Sequence, residues 1–207
     1  MCMEKTDWEK AVDFHGHSCP GLATGYRVSK IALKEIAGKR AQDEELVAIV
    51  ENDACGVDGV QFLTGCTLGK GNLLYRDFGK HVFTFVCRNS GQAVRISVKG
   101  RTLKDKDNDK DKDYRGLWDK ISSGKASEKE RALHKEMKEQ RTRDILEMPE
   151  EDFCTIQHIK VQLPEKARIF KSVTCAFCGE PVSESRARIR EGQISCIPCA
   201  GEYTRGW

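Results

Sequence analysis

Apolar residues recur at helical spacing from Leu22 through Tyr26, Leu33 and Ile36 to Ala37, and Pro20 just ahead of them suits the first position of a helix. Cys19 is thereby predicted at or beside the N-cap. Leu46–Val50 is instead a continuous, β-branched apolar run, the pattern of a strand buried on both faces. It gives way at Glu51–Cys55 to polar turn residues and then to another predicted helix, so Cys55 also lies at a helix mouth. His81–Cys87 alternates, turns at Asn89-Ser90-Gly91 and returns as Gln92–Val98. This predicts an antiparallel hairpin with Val82, Thr84 and Val86 on one face and Phe83 and Phe85 on the other. Ser127-Glu128-Lys129-Glu130 has capping-box form and opens a charged helix that stops near Pro149. Its narrow stripe of Leu133, Met137 and Ile145 predicts a packing face against the core or against a second copy of the chain. Cys154–Val161 reads as one more strand. The expected core is α+β, with mixed helices and an antiparallel sheet.

Chemistry concentrates at the helix mouths. His15, His17 and Cys19 fall within five residues. A thiol at a helix N-terminus faces unpaired backbone N–H groups and the positive end of the dipole, which favour thiolate, and two imidazoles beside it can hold a metal or relay a proton. The segment suits metal ligation or nucleophilic thiol chemistry; the plainer alternative is a buried cysteine beside solvated histidines. Cys55, with Asp58 one turn into its helix, forms a second such mouth.

Thr64–Leu73 is glycine-rich and carries Cys66, Gly69, Lys70 and Gly71. Backbone N–H groups of such a loop, with the lysine, could receive an anion such as phosphate; a structural turn is the equal alternative. It is not a Walker motif, because Gly65 to Gly69 is one residue too short and Gly71 stands where Ser or Thr would bind magnesium. Lys104–Asp113 alternates lysine and aspartate and is expected as a solvated loop. Lys110 stands where a calcium loop needs glycine, which argues against that assignment.

Cys175-x-x-Cys178 and Cys196-x-x-Cys199 are separated by 17 residues. Four thiolates at this spacing suit tetrahedral structural zinc, in a small zinc-ribbon or treble-clef-like finger. Arg186 to Ile194 supplies a hairpin, and Phe177, Ile189 and Ile194 are candidates for a minimal core. Arg186, Arg188 and Arg190 alternate as a basic stripe, able to contact nucleic acid or an acidic protein, or simply to solvate an edge strand. The expected organisation is a core over 1–162, a linker over 163–170 and the finger over 171–207.

The run F-H-G-H-S-C-P-G-L-A-T-G-Y-R, with E-N-D-A-C-G-V-D-G-V-Q and T-G-C-T-L-G-K-G-N-L, resembles the FmdE family, named for a component of formylmethanofuran dehydrogenase, over about residues 8 to 100. The resemblance implies a cleft lined by the motif residues, with His15, His17, Cys19, Cys55, Asp58, Cys66 and Lys70 as site candidates. The parent enzyme is a molybdenum or tungsten system. The C-terminal segment C-x-x-C-G-x-x-V-x-x-x-R-x-R to C-x-x-C resembles zinc fingers of the DksA/TraR type.

Composition narrows the classes. The formal charge is only +3, too weak to argue for nucleic-acid binding from bulk electrostatics. No apolar stretch approaches the ~18 residues of a membrane span. The first ten residues lack a signal-peptide core, so a cytoplasmic protein is expected. Of ten cysteines, four form the finger and three lie in the other motifs, so metal and thiol chemistry explains them better than disulfides. Two functions of the core site stand side by side, beside a third reading in which the chain is a zinc-finger adaptor contacting protein or nucleic acid, which leaves the helix-mouth cysteines unexplained. In one, His17 and Cys19 ligate a second metal of unspecified identity, with Cys55 or Cys66 completing the shell, His15 as base or supporting partner, and Asp58 orienting a ligand or accepting a proton. In the other, the same thiols capture and deliver a metal or a molybdenum or tungsten cofactor. A homodimer is expected, with a protein or nucleic acid as further partner of the finger.

Overall fold

Thr6 accepts the Glu9 amide at 3.2 Å and the Glu9 carboxylate accepts the Thr6 amide at 2.7 Å, a reciprocal cap that starts the first helix, α1 (Asp7–His15). This computed structural model describes residues 4–99 and 109–202. The chain divides into two compact units between Lys166 and Ala167.

The first unit continues with α2 (Pro20–Glu35), β1 (Leu46–Val50), α3 (Gly56–Thr64), β2 (Leu73–Tyr75), β3 (Val82–Cys87) and β4 (Ala93–Val98). After the undescribed stretch come α4 (Asp109–Ser122), α5 (Glu128–Glu147), the one-turn α6 (Glu150–Phe153) and β5 (Cys154–His158). The five strands form one sheet in the order β2-β1-β3-β4-β5. β1 pairs β2 in parallel, Ala48 opposite Leu73, and the remaining pairs are antiparallel, with Val50 opposite Phe83 and Phe85 opposite Val94. The sheet is therefore mixed, because α3 carries the chain across from β1 to a parallel β2.

Alternation sorts the sheet's side chains onto two faces. Leu46, Ala48, Val50, Phe83, Phe85, Val94 and Ile96 join Val28, Ile31, Ala32 and Ile36 of α2 and Val60 of α3 in the main core. Val47, Ile49, Val86 and Ala93 face the other way, packed by Leu74 and by Ile159 and Val161 of the chain after β5. β1 is buried at all five positions, as its uninterrupted apolar run requires.

α2 and α3 meet through glycines. A Cβ on Gly25 would lie 1.8 Å from the Gly56 carbonyl oxygen, and one on Gly59 would lie 2.6 Å from the Tyr26 amide nitrogen. Only hydrogen at these two positions permits the approach, which draws the N-terminal ends of the helices together.

α5 begins at the expected capping box, with Ser127 accepting the Glu130 amide at 3.3 Å. Of its apolar stripe, Ile145 packs on the core, whereas Leu133 is exposed. Arg27 of α2 ties the far end of α5 down by donating to the Ile145 carbonyl at 2.6 Å, with its guanidinium 4.5 Å from the Phe153 ring centre. The charge-rich segment expected as a solvated loop is helical from Asp109, while residues 104–108 lie outside the described residues. Tyr114, Leu117 and Trp118 fall on one side of that helix; Tyr114 stacks on His134 of α5 at 4.6 Å and Leu117 is buried. Packing against α5 outweighs the poor helix propensity of the aspartates.

The second unit holds two short hairpins, β6 (Ser172–Thr174) with β7 (Pro181–Ser183) and β8 (Arg188–Arg190) with β9 (Gln193–Ser195). A 3-10 turn at Glu184–Arg186 separates them, and α7 (Ile197–Ala200) follows. Phe177, Ile189 and Ile194 do not form the expected core: all three are exposed, Ile189 at 71%. Among the described residues, the well-buried side chains of this unit are Cys175, Ser195 and Cys196. Among the described residues no helix is long and apolar enough to cross a membrane.

Candidate metal centre

His15 is the last residue of α1, which ends because Gly16 takes the left-handed conformation (φ 91°). The short connection carries His17 and delivers Cys19 to the N-cap of α2. There its backbone is extended and its sulfur accepts the Leu22 amide at 3.3 Å, the role usually given to a serine or threonine hydroxyl. Cys55 stands at the equivalent place before α3 without capping it. A Cβ on Gly21 would sit 3.0 Å from the Cys55 Cβ, so the first turn of α2 lies directly against this thiol.

One ligand atom from each of His15, His17, Cys19 and Cys55 lies within 4.8 Å of the other three. The His15 Nε2 is 3.7 Å from the Cys19 sulfur, and the two imidazole centres are 4.4 Å apart. Cys19 is buried, His15 half-buried, and His17 and Cys55 are exposed, so the cluster has a closed inner side and an open outer one. The Nδ1 of His15 is 2.7 Å from Asp58 Oδ2, and the Gln61 side-chain amide donates to Asp58 Oδ1 at 3.2 Å. Loss of solvent, then the neighbouring His15 and then Lys138 lower the pKa of His17, which favours the neutral imidazole a metal needs. Desolvation, then the Cys19 thiol, push the Cys55 thiol up.

The 3.7 Å between His15 Nε2 and the Cys19 sulfur is close to the edge of about 3.8 Å expected between ligand atoms in a tetrahedron of ~2.3 Å metal–sulfur bonds. The donor set fits zinc, with cobalt or iron as alternatives.

Cys66 and Lys70 do not join the cluster. Cys66 is fully buried, its sulfur donates to the Leu46 carbonyl at 3.3 Å, and burial raises its pKa to about 11. The Lys70 ammonium is spent on the carbonyls of Ala41, Gln42 and Asp43 at 3.2 to 3.4 Å rather than turned toward an anion. Asn72 completes the clamp, donating to the Asp43 and Leu46 carbonyls at 2.9 Å each. The glycine-rich loop of Gly69 and Gly71 thus folds back on residues 41–46 to hold β1 and β2 in place. Gln61 escaped the sequence reading; its one signal was a position three residues after Asp58 on the same predicted helix.

The finger brings Cys175, Cys178, Cys196 and Cys199 together, their sulfurs all within 4.8 Å of one another. Cys178 and Cys196 are 3.9 Å apart, close to the ideal tetrahedral edge. The first knuckle closes where Gly179 adopts φ 77° and its amide donates to the Cys175 carbonyl at 3.0 Å. The Cys178 and Cys196 amides point at the Cys175 sulfur and pull its pKa down to about 6, while crowding by the Cys196 and Cys178 thiols pushes Cys199 up to about 12. Such crowding is relieved when a metal takes the protons' place. Of the basic stripe, Arg190 is bound within the finger, stacked 4.7 Å from the Phe177 ring centre and donating to the Cys199 carbonyl at 2.6 Å.

Comparison with known proteins agrees with this division. The chain is 36% identical over 199 residues to a probable S-adenosyl-L-methionine-binding protein of Archaeoglobus fulgidus, covering 94% of this chain and 52% of that one. The chain thus spans about half the length of this curated relative. A crystal structure of a tungsten formylmethanofuran dehydrogenase FmdE-like protein from Syntrophus aciditrophicus superposes with a TM-score of 0.58 at 25% identity, over 93% of this chain and 89% of that one. The model of the prokaryotic dksA/traR C4-type zinc finger matches residues 168–205. Residues 14–155, which contain the His/Cys cluster and the sheet from β1 to β4 with the helices α2 and α3 that carry it, match the model of FmdE, molybdenum formylmethanofuran dehydrogenase operon, and the chain belongs to that family.

Proposed function

We propose that His15, His17, Cys19 and Cys55 form a metal centre that works on a small substrate at its open outer side. The observation that carries this is the convergence of four ligand atoms from the end of α1, the mouth of α2 and the mouth of α3 within 4.8 Å, with Asp58 behind His15. A divalent ion held by Cys19, His15 and one of the exposed pair, the other giving up its place, would supply Lewis acidity and an activated water. Cys19 and His15 hold the inner side, each fixed by a hydrogen bond of its own. Exposed His17 and Cys55 border the side that a substrate reaches. His15 acts here as a ligand supported by Asp58 rather than as a free base, because its Nδ1 is already engaged. The exposure of Cys55 and His17 also favours a second reading, in which the centre accepts and passes on a metal or a molybdenum or tungsten cofactor without turnover. The S-adenosylmethionine binding named for the Archaeoglobus relative belongs to a chain about twice as long and adds nothing to either reading.

We place the protein in the cytoplasm as a homodimer, with the finger contacting a protein or nucleic acid. Light scattering that gives a single-chain mass of 23.3 kDa across micromolar concentrations would remove the dimer. For the centre itself, elemental analysis of the intact chain should find two metals per protein. Cys19→Ser should remove one and leave the finger's. A single equivalent in both proteins would end the metal reading. A metal that exchanges readily to a chelator, with no hydrolytic or hydration activity, would select delivery over catalysis.

A further inference from the structure

We infer that Gln61 is a positioning residue for the core centre, holding Asp58 so that His15 is locked in the tautomer that presents a bare Nε2 toward Cys19. The inference rests on the metal reading above. Asp58 and Gln61 lie one turn apart on α3, and the Asp58 carboxylate uses both oxygens: Oδ1 accepts from Gln61 at 3.2 Å and Oδ2 faces His15 Nδ1 at 2.7 Å. An ionised carboxylate only accepts, so Nδ1 carries the proton, and in the neutral imidazole that leaves the lone pair on Nε2. That Nε2 is the atom 3.7 Å from the Cys19 sulfur.

Asp58 is not held by burial. Its side chain keeps 38% of its exposure, whereas that of His15 keeps 9%. A half-exposed carboxylate has rotamers that turn it to water, and on leaving it would let the imidazole proton move to Nε2, where it would block ligation. The Gln61 amide, anchored on the same helix, removes that freedom. Among the described residues, Gln61 and His15 are the side chains that hydrogen-bond this carboxylate. Gln61 itself is half-buried and touches no ligand sulfur or imidazole by hydrogen bond, so its effect passes through Asp58.

The experiment uses the full chain with zinc retained in the finger. Long-range 1H–15N spectra of the His15 imidazole, before metal is added to the core, should show one Nδ1–H tautomer in the wild type. Gln61→Leu should give a tautomer mixture. Titration with Co2+ should show affinity lowered about tenfold in Gln61→Leu, the small end of the ~10–100-fold range for losing a supporting partner, with Asp58→Asn falling further. Gln61→Glu, whose carboxylate repels Asp58, should act in the same direction and guards against a folding defect specific to the leucine variant. A wild-type Nε2–H tautomer would overturn the inference. So would a Gln61→Leu protein with wild-type tautomer, whatever its Co2+ affinity, since a change in affinity alone would mark a general effect on α3. If the wild type takes no Co2+ into the core, the metal reading fails, and the tautomer comparison still decides the role of Gln61.

Discussion

Replacing Gly25 by alanine tests how the centre is assembled. Alanine in a helix interior is favoured over glycine by about 1 kcal/mol, so on propensity alone Gly25→Ala would stabilise α2. The structure opposes that gain. The new Cβ would lie 1.8 Å from the Gly56 carbonyl oxygen, 2.5 Å from its carbon and 2.7 Å from its Cα. All three are backbone atoms at the start of α3, so no side chain can swing away, and the helices must part by more than an ångström. Overpacking of this kind costs ~1–3 kcal/mol; backbone-on-backbone clashes fall at the upper end, so the propensity gain is outweighed and the net loss reaches up to about 2 kcal/mol. The same retreat separates Cys55 from Cys19, because both thiols sit at the ends being pushed apart. Urea denaturation should report the stability loss. A Co2+ titration should show the core absorption weakened while the four-thiolate spectrum of the finger persists. If Gly25→Ala proves more stable than the wild type with an unchanged core spectrum, the close α2–α3 contact does not build the site.

Three further outcomes follow from other parts of the molecule. Cys175→Ser should expose the chain beyond Ala167 to limited proteolysis while the core stays resistant, since the described residues of the finger form no apolar centre and its folding free energy comes from the metal. Burial, then Lys138 and Arg141 on α5, depress the pKa of His134, which is packed by Tyr114 and Trp118 of α4. A histidine lowered below its unfolded value of about 6.5 stabilises the fold fully above that pH and loses this contribution as pH falls toward its folded pKa. Thermal unfolding should therefore drop between pH 7 and pH 5.5, and His134→Phe should flatten that slope; an equal slope in both proteins would refute it. Lys70→Met should cost about 1–2 kcal/mol through three lost carbonyl partners and leave core metal content unchanged, whereas a loss of metal would return Lys70 to the site.

Elements whose signals are local were legible from the residues alone. Pro20 behind Cys19 marked the start of α2, the β-branched run marked β1, and Ser127 with Glu130 marked α5. The cluster was half legible for the same reason: helix mouths can be read, but the contact between two mouths cannot. Gly25 and Gly59, which create that contact, look in sequence like ordinary helix weakeners. Cys66 and Lys70 misled because a glycine loop with a lysine has the same composition whether its donors face a ligand or the chain's own carbonyls. α4 was hidden by its aspartates, since the stacking of Tyr114 on His134 joins residues far apart in the chain. Gln61 carried no signal beyond its spacing from Asp58, and only the fold sets it and His15 on either side of the Asp58 carboxylate.

The scarcity of buried apolar side chains among the described residues of the finger ties its survival to metal supply. With Cys175, Ser195 and Cys196 as its well-buried side chains, this segment has little to lean on once the thiolates lose their ion. By mass action, each tenfold fall in free zinc, as long as it still exceeds the dissociation constant of the folded site, removes about 1.4 kcal/mol of its stability. In a zinc-starved cell the C-terminal forty or so residues would be the first to open and the first to meet a protease. The same chain would then persist as a core without its C-terminal unit, so the ratio of whole to clipped protein would record the cell's zinc history.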